Sequence, residues 1–331
     1  MARGELIKQM LSSHQRGDED AFREAASEVI AEERRRHHGL LAEELQQIMR
    51  APDQAPATPV AFSSLKPLPK AKDDADLVEL VNPRRTLQGQ VLRPDVRDRL
   101  AGILEEHRRA SVLHAHGLSP ARSLLFVGPP GTGKSSTAES LASELGVPLA
   151  RVNLPAVVSS LLGETSRNLA AIFDSSRSEP WVLLFDEFDA LGRERSDTTE
   201  HGELKRVVTT FLQLLDHYAG PAVVIAATNH PAMLDDAVWR RFDDVIGFKL
   251  PTLRETEKLV RRLFRRVQLG PAPREVAQRL RRWSQADVEL VCRAAMKRSV
   301  LRDGDSVSLA DLDAAIKRLE ERRATIRSSR G

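Results

Sequence analysis

The stretch of sequence that decides the fold is Ser-Leu-Leu-Phe-Val-Gly-Pro-Pro-Gly-Thr-Gly-Lys-Ser-Ser, residues 123–136. An apolar run of strand length leads into a loop with three glycines, and a segment with helical character follows the loop. Residues 128–135 match the pattern G-x-x-x-x-G-K-[ST] in this context. Glycines let the backbone turn so that several N–H groups point at one spot, and the following helix adds its positive end. The stretch therefore predicts a phosphate-binding loop.

We expect this loop to bind ATP together with Mg²⁺. Lys134 supplies a point charge for the outer phosphates, and the hydroxyl of Ser135 is a suitable ligand for Mg²⁺. The nucleotide-binding residues predicted on this basis are Gly128, Pro129, Pro130, Gly131, Thr132, Gly133, Lys134, Ser135 and Ser136.

Two further apolar runs end in polar residues that suit the same site. The run at residues 181–185 ends in Asp186 and Glu187. Since the carboxyl ends of parallel strands lie beside such a loop, we expect Asp186 to hold Mg²⁺ and Glu187 to orient and deprotonate the attacking water. The run at residues 222–228 ends before Asn229, whose amide can bind both the γ-phosphate and the water, although Asn before His-Pro also suits a turn.

Short apolar runs alternate with helical stretches from residue 73 to residue 250. The runs cover residues 123–128, 149–154, 181–187 and 222–228. Continuous apolar runs bounded by turns and separated by helices are typical of a parallel sheet that is buried on both faces. This region is therefore predicted to be an α/β domain with a doubly wound parallel sheet.

Three segments flank the predicted α/β domain. Residues 1–50 carry apolar residues at helical spacing and predict a small bundle of three helices that binds a partner. Residues 51–72 contain five prolines and predict a semi-extended linker. Residues 251–331 predict an all-helical C-terminal lid. Its helices begin at three capping pairs: Thr252 with Glu255, Ser284 with Asp287, and Ser308 with Asp311.

The motifs at residues 128–135, 183–190, 226–229 and 234–243 together resemble those of AAA family ATPases, in the family's order. The resemblance covers roughly residues 74 to 325. It implies a doubly wound ATPase domain with a helical lid, and a homo-oligomeric ring, usually a hexamer, with ATP at each subunit boundary. It also implies that Asp186 and Glu187 form the family's second motif and that Asn229 is its first sensor.

The same resemblance implies that Arg240 and Arg241 are arginine fingers, which act on the ATP of a neighbouring protomer. The adjacent arginines, without an inserted Pro-Gly, resemble the katanin and spastin branch, and the chain resembles a stand-alone, single-ring ATPase of bacterial type. From the residues alone, an ion pair with Asp243 or Asp244 of the same chain stays open as the alternative role of the arginines.

One departure from the family concerns a loop that lines the pore of the ring. Family members usually carry an aromatic residue before the aliphatic-Gly-Glu motif, where this chain has Leu161, Leu162 and Gly163. Leucine can press on a polypeptide, but it offers less area than an aromatic ring and no flat face. The two leucines suit either a pore loop or ordinary core packing.

The composition narrows the range of partners. The net charge is only +3, from 50 basic and 47 acidic residues, and aromatic residues make up 4%. Both values argue against a nucleic-acid partner, whose binding uses massed positive charge and base stacking. No run of 18 apolar residues occurs, so we expect no membrane span. The single cysteine, Cys292, suits the helical core of a protein in a reducing, cytoplasmic compartment.

Three functions are compatible with these observations. The main hypothesis is a ring-shaped motor that remodels, unfolds or disassembles a protein chosen by residues 1–50. The alternative is an ATP-dependent regulator or assembly switch of a partner enzyme such as a protease, without threading, because the pore aromatic is missing. A nucleic-acid-directed ATPase has the least support. The sequence does not identify the substrate.

Overall fold

A computed structural model of the chain describes Ala25 and residues 27–29, 68–158, 164–191, 201–234, 236–302 and 304–328. The chain divides into two units, Met1–Thr58 and Pro59–Gly331, and all elements given below belong to the second. The predicted N-terminal bundle (residues 1–50) and linker (51–72) lie largely outside the described residues. The domain boundaries therefore stay predictions.

Six strands form the central sheet: β1 (Val78–Val81), β2 (Ser123–Val127), β3 (Leu149–Val152), β4 (Val182–Phe185), β5 (Val223–Thr228) and β6 (Asp244–Gly247). Their spatial order is β1–β3–β4–β5–β2–β6. All neighbours pair in parallel except β1, which runs antiparallel to β3 at one edge. The four predicted apolar runs contain β2 to β5, while β1 and β6 are additional to the predicted strands.

Seven α-helices connect these strands: α1 (Pro94–Arg108), α2 (Ala110–Ala115), α3 (Lys134–Leu145), α4 (Leu154–Val157), α5 (Glu164–Ser176), α6 (His201–Asp216) and α7 (Asp236–Trp239). A 3₁₀ helix, Phe188–Leu191, follows β4. The apolar residues of α1 and α3 pack on one face of the sheet, and those of α5 and α6 pack on the other.

Alternate residues of each central strand belong to different apolar cores. In β2, Leu125 packs on the side of α5 and α6, whereas Leu124 and Phe126 pack on the side of α1 and α3. Successive side chains of a strand point to opposite faces, so a strand covered on both faces must be apolar throughout. The doubly wound α/β class predicted from the sequence is confirmed.

The C-terminal lid has its own apolar core, which contains the buried Cys292. Its elements are α8 (Leu253–Leu263), β7 (Gln268–Leu269), α9 (Pro273–Arg279), α10 (Gln285–Val300), β8 (Ser306–Val307) and α11 (Leu309–Ser328). All three predicted capping pairs are present, since each N-cap side chain accepts from the backbone three residues on. The parallel pair of β7 with β8 is a small addition to the predicted helical lid.

No helix in the described part of the chain has the length and the apolar character that a membrane crossing requires.

Candidate active site

The loop between β2 and α3 depends on glycine at two points of close approach. Gly131 has φ 74°, and a Cβ atom there would lie 2.5 Å from Ser284 Oγ of the lid. Gly128 has φ 147°, and a Cβ atom there would collide with the carbonyl oxygen of Phe248. Only glycine adopts these backbone conformations without strain. The loop is therefore packed between the end of the sheet and the start of the lid.

Lys134 is the first residue of α3, and its side chain is 6% exposed at the centre of the loop. Its Nζ donates three hydrogen bonds: to Gly128 O at 2.7 Å, to Pro129 O at 3.0 Å and to Asn229 Oδ1 at 2.7 Å. Burial lowers the pKa of Lys134, and the nearby carboxylates of Asp186 and Asp189 oppose this shift. A phosphate oxygen, which carries charge, is a stronger acceptor for this ammonium group than a carbonyl.

Ser135 and Asp186 bring two oxygen donors together beside Lys134. Ser135 Oγ donates to Asp186 Oδ2 at 2.5 Å, which joins the start of α3 to the end of β4. A hydroxyl and a carboxylate are ligands that suit Mg²⁺, which takes a few protein oxygens and completes its octahedron with water and substrate phosphate. The residues present therefore fit a magnesium ion bound with the nucleotide.

Glu187 follows Asp186 in a left-handed backbone conformation with φ 52°. Non-glycine residues rarely adopt it, and such outliers cluster at functional sites. The Glu187 N–H donates to Asp186 Oδ1 at 3.0 Å, while the next residue, Phe188, is fully buried against Phe211. The turn thus holds an exposed carboxylate at the edge of the cavity between a polar and an apolar anchor.

Asn229 is held by an aspartate to which the sequence analysis gives no role. Asp189 Oδ1 accepts from the Asn229 N–H at 3.1 Å and from Thr228 Oγ1 at 3.0 Å, and Asp189 is 4% exposed. The Asn229 side chain faces Lys134, as described above. Its position three residues after Asp186, in the motif Asp-Glu-Phe-Asp, is the signal that would have identified Asp189.

A cavity of about 500 Å³ lies over these groups. Its lining includes most of the predicted site: Pro130, Gly131, Gly133, Lys134, Ser135, Ser136, Asp186, Glu187 and Asn229. Gly128, Pro129 and Thr132 do not line it. Thr132 is 2% exposed, and its hydroxyl donates to Pro129 O at 2.7 Å, so it shapes the loop from behind.

Charged residues that the sequence analysis does not single out also line this cavity. Arg85 and Arg151 lie on one side, where Arg85 pairs with Glu139 at 3.0 Å and Arg151 approaches Glu79 at 3.7 Å. Glu289 lines the cavity from the lid. They come from the segment after β1, from β3 and from α10, and no local motif connects such distant positions.

The lid contacts the loop directly through the start of α10. The Ala286 N–H donates to Gly131 O at 3.0 Å, and Gln285 Nε2 donates to Val91 O at 2.9 Å. The first turn of α10 therefore closes one wall of the cavity. The lid contributes an amide and two backbone groups there, and no arginine of the lid lines this cavity in the described part of the chain.

Arg240 and Arg241 lie apart from this cavity, in the turn between α7 and β6. Both are exposed, whereas Val238 and Phe242 on either side are 1% and 7% exposed. Arg241 Nη1 forms an ion pair with Asp216 Oδ2 at the end of α6. The in-chain partner of Arg241 is thus Asp216, and neither Asp243 nor Asp244 pairs with the two arginines in the described residues.

The predicted pore-loop residues Leu161, Leu162 and Gly163 lie outside the described residues, and their role stays a prediction.

Comparison with known proteins places this site in a family. The model of the ATPase family associated with various cellular activities (AAA) matches residues 124–250. The chain is 40% identical over 325 residues to the uncharacterized AAA family ATPase y4kL of Sinorhizobium fredii, covering 98% of this chain and 97% of that protein. The chain belongs to the AAA family of ATPases. This AAA ATPase therefore hydrolyses ATP, as the cavity with its phosphate loop predicts.

A further relative supports the predicted branch of the family, and a solved structure supports the fold. This AAA ATPase is 30% identical over 210 residues to a katanin-like protein of Oryctolagus cuniculus that contains the p60 ATPase, covering 60% of this chain and 43% of that protein. The crystal structure of the FIGL-1 AAA domain in complex with ADP matches with a TM-score of 0.58 and 23% identity, covering 73% of this chain and 86% of that chain. The second likeness confirms the fold.

Proposed function

We propose that this AAA ATPase is one protomer of a homo-oligomeric ring, usually a hexamer in the family, which uses ATP hydrolysis to remodel, unfold or disassemble a protein. The observation that carries the proposal is the separation of two sets of residues. Lys134, Asp186 and Glu187 share one cavity, while Arg240 and Arg241 lie outside it. A site that lacks its arginines in its own chain is completed by a neighbour.

In this proposal, each residue of the cavity has one role in hydrolysis. The N–H groups of the loop and Lys134 bind the phosphates, and Ser135 and Asp186 hold Mg²⁺, which bridges phosphate oxygens and offsets their charge. Glu187 takes a proton from the attacking water, and Asn229 orients that water against the γ-phosphate. Arg240 and Arg241 of the next protomer stabilise the charge that develops on the transferred phosphoryl group.

The arginine part is tested by Arg240→Ala and Arg241→Ala. Each variant should bind ATP with nearly the wild-type Kd and lose about 10³-fold or more in kcat, which is the usual effect of an arginine finger. Arg177→Ala, which removes an exposed arginine paired with Asp174 on α5, is the matched control and should keep wild-type turnover.

Mixing distinguishes a finger that acts across an interface from an arginine that acts in its own chain. A Lys134→Ala protomer has a damaged cavity but intact arginines, so it should restore turnover to an Arg240→Ala protomer in a mixed ring. Activity should rise above that of either variant alone when the ratio of the two is varied. Mixed rings verified by mass that stay inactive would contradict the proposal.

The remodelling part is tested with Glu187→Gln, which should retain ATP and bound protein because hydrolysis is blocked. A protein retained by this variant in ATP, but not in ADP, should lose hydrogen-exchange protection with the wild-type ATPase and ATP. A partner enzyme that is activated without unfolding would support the regulator instead. DNA-stimulated turnover that falls steeply with salt would support a nucleic-acid-directed ATPase. Leu161→Ala tests threading, because normal remodelling by that variant would exclude it.

A further inference from the structure

The turn that carries Arg240 and Arg241 needs a fixed backbone position if the arginines are to reach a neighbouring protomer. Arg240 makes no hydrogen bond or ion pair among the described residues, so its own side chain does not fix the turn. A long, exposed arginine is flexible, and its effective reach is set by its Cα atom. The question is therefore which contacts hold the turn.

Asp243 ties this turn to the first residue of β2. Its Oδ2 accepts three hydrogen bonds: from Arg122 N at 2.8 Å, from Ser123 N at 2.9 Å and from Ser123 Oγ at 2.8 Å. In the other direction, the Asp243 N–H donates to Ser123 O at 2.9 Å. A carboxylate that accepts several N–H and O–H bonds forms stronger bonds than a neutral acceptor.

The neighbouring contacts act on other parts of this region. Phe242 is buried in the apolar core beside α5 and α6, but an apolar contact has little directional preference. Asp244 pairs with Arg99 of α1 at 2.6 Å, which ties β6 rather than the turn. The ion pair of Arg241 with Asp216 lies between groups that are 47% and 27% exposed, and such pairs contribute little rigidity. Asp243 is thus the directional tie nearest to the arginines.

We propose that Asp243 is the positioning residue of the arginine pair, which it holds at the distance from β2 that the neighbouring protomer's ATP requires. The proposal rests on the proposed role of Arg240 and Arg241. Asp243 touches neither nucleotide nor water, and it acts only through the backbone of the turn. A shift of the turn by about 1 Å would cost about 10²-fold in turnover, as misplacement of a catalytic group does.

The test measures kcat, KM and the Kd for ATP in Asp243→Ala and Asp243→Asn of the full chain. Asp243→Ala should lose about 10²-fold in kcat with little change in Kd. Asp243→Asn keeps one acceptor oxygen and should lie between Asp243→Ala and wild type. Asp244→Asn, the adjacent residue with the same change, is the control and should stay within about twofold of wild type.

Mixing again separates positioning from damage to the fold. Asp243→Ala protomers keep an intact cavity, so Lys134→Ala protomers should restore their turnover, as they do for Arg240→Ala. If Asp243→Ala disturbs the base of β2, the cavity at the other end of that strand fails as well, and no rescue occurs. Absence of rescue, or an equal loss in Asp244→Asn, overturns the proposal.

Failure of the proposed function has a different signature. If Arg240→Ala and Arg241→Ala both keep wild-type turnover, the arginine pair has no catalytic role, and Asp243 has nothing to position. If the arginine variants lose turnover and Asp243→Ala keeps it, the proposed function stands and the role of Asp243 is overturned.

Discussion

Lys134 Nζ and Asn229 Oδ1 lie 2.7 Å apart and join the phosphate loop to the end of β5. The lysine is 95 residues away from the asparagine in the chain, yet their side chains share a hydrogen bond in the cavity. A γ-phosphate that enters between them offers charged oxygens to the ammonium group and accepts from the amide NH₂ group. The two residues therefore detect the same phosphate from two strands.

Asn229→Ala should separate binding from hydrolysis. Lys134 keeps its two carbonyl partners in the loop, so the Kd for ATP should change by less than about tenfold, which is the effect of one hydrogen bond. The amide no longer orients the water, and kcat should fall about 10²-fold or more. Phosphate release and fluorescent-nucleotide titration measure the two quantities. Asn153→Ala, an amide outside the cavity that donates to Asp76 O at 3.3 Å, should leave both unchanged.

Gly131→Ala should displace the lid from the loop. The added methyl group would lie 2.5 Å from Ser284 Oγ and 3.0 Å from Ala286 Cβ, at a residue with φ 74°. Strain of the backbone and steric contact act together, so the unfolding free energy should fall by about 1–3 kcal/mol and ATP affinity should fall as well. Thermal melts with and without ATP measure both effects.

The control for this substitution is Gly102→Ala in α1. Nothing lies within 4 Å of a Cβ atom at Gly102, which is an exposed residue inside a helix. Alanine should raise the unfolding free energy by about 0.5–1 kcal/mol because it restricts the unfolded chain and suits a helix. An equal loss of ATP affinity in both variants would show that the contact of Gly131 with the lid is irrelevant.

Asp311 should give the lid an acid-sensitive contribution to stability. Burial raises its pKa, but hydrogen bonds from Ser308 and the charge of Arg302 outweigh this and hold the pKa below the ordinary aspartate value. A carboxyl with a lowered folded-state pKa stabilises the fold fully above its unfolded pKa. That contribution is lost as pH falls through the folded value, that is, below about pH 4.

Asp311→Asn should therefore lower the unfolding free energy at pH 7 by about 1.5–3 kcal/mol and flatten its decline below pH 4. Urea denaturation across this pH range measures both. Asp313→Asn on the same helix is the control, because its partner Arg279 and Asp313 itself are exposed and such pairs contribute less than about 1 kcal/mol. An unchanged acid limb in Asp311→Asn would contradict the assignment.

Cys292 offers a probe of lid opening. Burial raises the pKa of its thiol to about 12, so only about one molecule in 10⁴ carries the thiolate at pH 8. We expect a thiol reagent to label the native protein slowly and denatured protein at once. Rapid labelling of the native protein would show that the core of the lid opens readily.

The parts of this structure that could be predicted are those with a local cause. Strands β2, β4 and β5 are short apolar runs, and Thr252, Ser284 and Ser308 cap helices through contacts three residues away. Strand β1 could not be predicted, because Val78–Val81 contains a glutamate and pairs at an edge, where exposure tolerates it. Strand β6, Asp244–Gly247, has four residues and an acidic start.

The candidate site divides in the same way. The loop, Asp186 and Glu187 belong to contiguous motifs, so their types and spacing were sufficient to predict them. The contact of Ala286 with Gly131 joins residues more than 150 positions apart, and the pairing of Arg241 with Asp216 depends on where α6 ends. Such contacts follow from packing of whole elements, which no short window of sequence contains.

Strand β2 has Gly128 and the phosphate loop at one end and the hydrogen bonds of Asp243 at the other. In a ring of the proposed kind, a change that tilts this strand disables two interfaces, one through the loop and one through the arginines. A change at Lys134 disables one. When wild-type and variant protomers mix at random, working interfaces then decline with the square of the wild-type fraction for β2 and in proportion to it for Lys134. Inherited changes in this short strand should therefore be the more strongly dominant.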